Sequence, residues 1–286
     1  MNLLRDANVA AENLLDFSNI QFQLIAVLFM IGYGSHFAFS TFFLASSTSV
    51  APKYRLVPWL SAVVMIAAGL SLLRESSAWI NAFTFDGELW TSTPGESFSN
   101  AFRYANWTIT IPLLLVQLLL ALNLPRAEMY RRYARLVAAA LLMVWTGMAG
   151  QFFEVTSKAA LWIWFVVSSA FFVWLLIELR SAIAVAKAHT PETLHKWLDF
   201  MLIYMVVFWT FYAVGYIVPA FSEGQWAMFA RQLVFTIADV FSKLVYGVIL
   251  SRFVLRRSAL DGHRPAVEAL DGWPAEHVDG PSTTSA

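Results

Sequence analysis

Residues 230–243 read ARQLVFTIADVFSK, and the apolar run continues through LVYGVILSRFVLR to residue 256. Only Asp239 and Lys243 carry charge between Arg231 and Arg252, so the segment is long and apolar enough to cross a bilayer as a helix of about 20 residues. Asp239 and Lys243 stand four apart, which puts them on one helix face and within reach of each other.

Working outward, six more stretches of this kind precede it, giving spans at roughly 20–46, 57–79, 100–124, 132–154, 159–186, 194–220 and 228–256. The punctuation between them is what helix ends require: Pro52-Lys53, Asp86-Gly87, Pro94-Gly95, Pro125-Arg126, Lys158, Thr190-Pro191 and Ser222-Glu223-Gly224. Of the 286 residues, 59% are hydrophobic and 13% charged, and mean hydropathy is +0.61. A soluble domain holds about a quarter charged residues. The expected architecture is an all-α membrane protein, a single bundle of seven transmembrane helices in a lipid bilayer.

Composition also removes several functions. Formal net charge is zero, so no electrostatic footprint calls for nucleic acid. Cysteine is absent, which excludes disulfides, thiolate metal sites and cysteine nucleophiles. No two histidines have metal-ligand spacing within a helix, and no metal is assigned. His36, in the middle of helix one, reads as a core or interface histidine.

Orientation follows from the basic residues. Lys53, Arg55, Arg126, Arg131, Arg132, Arg135, Arg180, Lys187, Lys196, Arg252, Arg256, Arg257 and Arg264 fall on one side, against Arg5, Arg74, Lys158 and Arg231 on the other. By the positive-inside rule the N-terminus faces out and the C-terminus is cytoplasmic. The connection between helices two and three is then extracellular, and Phe83-Thr84-Phe85 before Asp86-Gly87 reads as one arm of a short hairpin. Three regions result: 1–19, a short amphipathic or capping segment or else a frayed terminus, with no cleavable signal; 20–257, the bundle; and 258–286, a polar tail expected to be disordered.

Titratable groups inside a span are functional candidates by default. Three stand out: Arg103 near the outer end of helix three, Asp239 and Lys243. A lysine among apolar side chains can serve as a Schiff-base amine, or it can be a structural partner of Asp239. If the lysine nitrogen is charged, it and Arg103 face one carboxylate, since Asn106, Thr108, Thr110 and Gln117 on helix three are neutral. That count leaves room for a small anion.

Seven helices with a lysine in the seventh resemble the microbial rhodopsins, over about residues 20–256. The specific matches are Arg103-Tyr104-Ala105-Asn106-Trp107-Thr108-Ile109-Thr110-Ile111-Pro112, the helix-seven run from Ala230 to Lys243, Trp209 and Tyr212, and Gly150-Gln151-Phe152-Phe153-Glu154. The resemblance implies all-trans retinal on Lys243 as a protonated Schiff base. It also implies a pocket of Trp107, Thr110, Thr146, Gly150, Ser169, Phe172, Trp209, Tyr212 and Tyr216. Taken singly, each aromatic also reads as ordinary helix packing.

Within that family, outward proton pumps carry carboxylates at the positions of Asn106 and, usually, Gln117. Sodium pumps of bacteria read Asn, Asp, Gln at 106, 110 and 117. The triplet here, Asn106, Thr110 and Gln117, resembles the bacterial chloride-pump pattern, although whole-chain similarity to the sodium-pump branch also looks high. The resemblance therefore implies a light-driven inward chloride or halide pump, not an enzyme, in a bacterial cell membrane and expected as a homo-oligomer. Arg103 would guide uptake, Asp239 would share the counterion role, and Gln117 would line the exit. Ser61 would offer its hydroxyl either to the anion or to its own backbone. Glu154 and Arg231 would form an outer gate or a surface pair. The alternatives are sodium or proton pumping and photosensing. Phe165 occupies the position where members with a carotenoid antenna carry glycine, so no antenna is expected.

Overall fold

A computed structural model describes residues 10–271. Seven long helices run Asn19–Ser46 (α1), Leu56–Ala82 (α2), Ala101–Leu122 (α3), Arg126–Gln151 (α4), Lys158–Lys187 (α5), His195–Phe221 (α6) and Gln225–Leu260 (α7). All seven are long and apolar enough to cross a membrane. Each packs on its neighbours in sequence, and α7 closes the ring against α1. Ser18 starts α1 with a reciprocal capping box to Gln21, and Ser157 caps α5 by accepting from the Ala160 N–H. Asn123, at φ 51°, turns the chain out of α3 in the left-handed conformation that asparagine tolerates.

Polarity runs inside out compared with a soluble bundle. Ile163, Val166, Ile177 and Ile203 are 62–63% exposed on the outer faces, whereas Arg103, Asp239, Lys243 and Gln117 are buried in the centre. Lipid satisfies the first group, and only partners within the ring can satisfy the second.

Two departures from the sequence reading concern helix ends. α4 begins at Arg126 rather than near 132, because Glu128 pairs with Arg131 at 2.7 Å and Arg132 at 3.1 Å and carries the helix past its apolar stretch. The tail expected to be disordered from 258 instead forms a further helix, Arg264–Asp271 (α8). Pro265 suits a first helical turn, and Ala266 is buried with Ala269 and Leu270 against the core. The remainder of that stretch, 272–286, and residues 1–9 lie outside the described residues.

The expected hairpin is present. Phe83–Phe85 pairs antiparallel with Trp90–Ser92, in the register Phe83↔Ser92, Thr84↔Thr91 and Phe85↔Trp90. Gly87, at φ +108°, supplies the turn. Asp86 accepts from the Glu88 and Leu89 backbone N–H groups, and these bonds hold its carboxyl below the usual range. Residues 10–17 cross this same end of the ring, where Phe17 bridges to Trp90 and packs edge-on to Trp79 and Phe83.

α7 is not one uniform helix. Val240–Val245 adopts π-helical hydrogen bonding between two α-helical parts, and Lys243 lies within it. A single π turn shifts the register of the helix beyond it and is common at functional sites.

Candidate functional site

Lys243 is buried at the centre of the ring. Its amine donates to the Tyr212 hydroxyl at 2.8 Å and forms a close ion pair with Asp239. Asp239 is fully enclosed and gathers four donors: Lys243, Arg103 at 2.7 Å, Tyr212 at 2.9 Å and the Trp107 indole N–H at 3.4 Å. So many charge-assisted hydrogen bonds hold it as a fixed anion.

Beside this pair lies a cavity walled by aromatic rings from α3, α5 and α6. Trp107, Ser169, Phe172, Trp209, Tyr212 and Tyr216, all expected at a pocket, line it. Tyr104, Ile111, Met143, Val144, Gly147, Phe165, Ser168 and Ala213 complete it and were missed by residue matching. On α4 the wall is Met143, Val144 and Gly147, not the expected Thr146, whose hydroxyl turns back to the Leu142 carbonyl at 2.6 Å. Gly150 lies beyond the wall, where a Cβ would overlap the Tyr216 hydroxyl and come within 2.7 Å of Trp164. Phe165 stacks on Tyr216, with ring centroids 5.7 Å apart.

The Asn106, Thr110 and Gln117 positions divide along α3. Thr110 donates to the Asn106 backbone carbonyl at 2.9 Å, and the Asn106 amide, buried, has no protein partner on either its nitrogen or its oxygen. Gln117 stands eleven residues further along, about 16 Å by helical rise. Its amide donates to Ser61 Oγ at 2.5 Å and to the Val57 carbonyl at 2.8 Å. Ser61 thus belongs to the Gln117 end and is not brought together with Asn106.

The charge count from sequence is overturned. Glu75 on α2, at 0% exposure, lies 3.0 Å from the Arg103 guanidinium. A second buried group adjoins it. Arg231 donates to both oxygens of Glu154, at 2.5 and 2.8 Å, with Glu12 of the N-terminal turn 3.6 Å away. Gln232 links the two halves by donating to Glu12 at 2.6 Å and accepting from Arg103 at 3.0 Å. Glu154 and Arg231 are therefore no surface pair. Among the described residues, Arg103, Arg231 and Lys243 are matched by Asp239, Glu75, Glu12 and Glu154, so carboxylates outnumber cations. Sequence reasoning missed both carboxyls: Glu75 lies inside the second span, beside Arg74 and two serines, and Glu12 lies outside every span.

A buried amine with an anionic partner, next to an aromatic-walled cavity, fits a long apolar aldehyde joined to the lysine. The donor set suits a cationic nitrogen: Asp239 balances it and Tyr212 orients it.

Residues 23–256 match a family model described as bacteriorhodopsin-like protein. Archaerhodopsin-2 of Halobacterium sp. (strain aus-2) is 28% identical over 177 residues, which is 62% of this chain and 64% of that protein. The chain thus spans just under two thirds of that relative. A crystal structure of thermophilic rhodopsin superposes with a TM-score of 0.81 at 26% identity, covering 86% of this chain and 98% of the other. Xanthorhodopsin, described as a light-driven ion pump with dual chromophore, gives 0.80 at 29% identity over 87% and 98%.

Proposed function

Because the chain belongs to the bacteriorhodopsin-like family, whose members are light-driven ion pumps and photoreceptors, we propose that it is a light-driven inward halide pump holding all-trans retinal on Lys243. One observation carries this reading. Among the described residues, the carboxylate paired with Lys243 is Asp239, whose charge is fixed by Arg103, Tyr212 and Trp107, and α3 offers neutral Asn106 and Thr110 where an acceptor would stand. When bound, retinal supplies a light-absorbing polyene whose isomerisation re-aims the N–H of the Lys243 nitrogen.

The chain's own residues then do the rest. Asp239 holds the nitrogen positive, so no proton leaves it for α3. Asn106, with its amide unpartnered, offers a donor to an anion beside that charge. Arg103 lies between the hairpin end and the lysine and draws the anion inward. Gln117, tied to Ser61 and Val57, lines the opposite end without a proton to give. A halide follows the re-aimed N–H only as far as its affinity for the two geometries differs.

The basic-residue count supports an outer hairpin end and a cytoplasmic C-terminus. An anion entering a negative-inside cell moves uphill by about 2.3 kcal/mol per 100 mV, which light must supply. A bacterial cell membrane, a homo-oligomeric state, transport without enzymatic turnover and the absence of a carotenoid antenna belong to the same proposal. Phe165 supports the last point by filling the cavity's flank.

The test is a chloride titration of the visible spectrum of purified pigment, repeated in Asn106→Asp and Thr110→Asp. The reading predicts a blue shift with halide that each substitution removes, and a spectrum indifferent to halide overturns it. A second reading, outward proton transport, is favoured by the buried carboxylates around Arg103 and Arg231. It predicts that same indifference to halide.

A further inference from the structure

The buried cluster at the hairpin end holds more carboxylates than cations before any anion arrives. Bringing a halide to the Lys243 nitrogen adds another negative charge to an enclosed, poorly polarisable space, and such a charge is costly unless something compensates it. The compensating group can be identified by asking which carboxylate is least supported. Asp239 has four donors. Glu154 accepts twice from Arg231 and once from the Ala11 N–H at 2.9 Å. Glu12 accepts from Gln232 at 2.6 Å. Glu75 accepts none: it is fully buried, both its oxygens lack a hydrogen-bond donor, and its single ion pair is with an Arg103 whose N–H groups point to Asp239 and Gln232.

We infer that Glu75 is a proton-binding residue coupled to halide uptake: as the anion enters beside Arg103 and Asn106, Glu75 takes one proton from the outer medium, and the pair enters as a neutral sum. An O–H bond of hydronium in the outer medium breaks as an O–H bond forms on a Glu75 oxygen, leaving water behind, and Arg103, still held by Asp239 and Gln232, loses its Glu75 partner and gains the halide in its place.

The surroundings agree. Arg103 of α3 and Lys243 of α7 attract the Glu75 anion, while Asp239 of α7 and Glu12 of the N-terminal turn repel it. α1 contributes only Tyr33 and His36 as titratable groups. On α2 itself the neighbouring Arg74 lies over the Phe102 ring at 4.9 Å. A halide near Arg103 adds to the repulsion, so halide and proton each strengthen the other's binding, and by linkage to the same extent.

This inference rests on the halide reading, and one experiment separates the two. Retinal-loaded pigment in unbuffered solution receives sodium chloride in the dark, with pH and visible spectrum followed together and sodium sulfate as control. Where Glu75 is ionised before chloride is added, at about pH 9, the coupling predicts about one proton taken up per halide bound, and halide affinity falls up to about tenfold per pH unit in that range. In Glu75→Gln the uptake vanishes, and halide binds about equally at about pH 6 and about pH 9. Should that variant fail to form pigment, infrared difference spectra of the wild type serve instead. A protonated-carboxyl band must then appear with chloride and move in Glu75→Asp. A halide-dependent spectrum with no proton uptake and no pH dependence overturns the coupling and leaves the pump reading standing. No halide response at any pH overturns both.

Discussion

The Tyr212 hydroxyl donates to Asp239 Oδ1 at 2.9 Å, on the same oxygen that receives the Lys243 amine. Tyr212 also lines the aromatic cavity, as does Trp107, so these two side chains join the cavity to the charge pair. Asp239 is thereby the fixed negative charge at the lysine nitrogen. Replacing it by asparagine removes the charge that stabilises a ground state with positive nitrogen. Asp239→Asn is expected to move the visible band of the retinal-loaded protein to longer wavelength, and an unmoved band would place the counterion elsewhere.

Lys243 is the proposed point of attachment. Lys243→Ala leaves the aromatic cavity in place but removes the amine, and the expected result is a colourless protein after addition of retinal, with circular dichroism still helical. A stable visible band in that variant would contradict the assignment.

Gly150 gives a packing test. A Cβ there meets the Tyr216 hydroxyl and Trp164, and Tyr216 is held by its own hydrogen bond to the Leu161 carbonyl at 3.2 Å. Overpacking of this kind costs about 1–3 kcal/mol. Gly150→Ala should lower the melting temperature of the pigment and slow its regeneration with retinal. An unchanged melting curve would mean that α4 and α6 are not as close as described.

At the hairpin the pH dependence has a definite sign. Asp86 is held below its ordinary value by two backbone N–H donors, so its contribution is present above about pH 4, the unfolded value, and is lost as pH falls through the folded value. Amide hydrogen exchange across Phe83–Ser92, corrected for intrinsic rates, should speed up on acidification, and Asp86→Asn should show the faster rate at neutral pH without that dependence. Equal protection in wild type and variant at every pH would refute the role.

Much of this was legible from residues alone. Apolar length locates all seven helices, because a helix in lipid must satisfy its own backbone and its side chains carry the signal directly. The spacing of Asp239 and Lys243 predicts their pairing. The hairpin follows from Phe83-Thr84-Phe85 and Asp86-Gly87.

Other features depend on three-dimensional neighbours. Glu75 and Glu12 carry no local mark of burial: one sits beside Arg74 and serines near a helix end, the other in a turn before the first span. Only the folded chain brings Arg103 to Glu75 and Arg231 to Glu12, and with them the carboxyl groups that outnumber the cations and reverse the count expected from helix three and helix seven. The π turn at Val240–Val245 has no marker in Val240-Phe241-Ser242-Lys243. The pocket wall on α4 shifts from Thr146 to Gly147 because one residue turns a helix face by about 100°. Matching of positions does not fix that angle.

The most direct measurement of the central claim is light-induced pH change in a suspension of expressing cells in unbuffered chloride. Inward halide transport predicts alkalinisation of the medium that a protonophore enhances, that bromide sustains and that sulfate abolishes. Acidification, or a signal that the protonophore removes and sulfate leaves intact, would show that protons are the cargo and contradict the account.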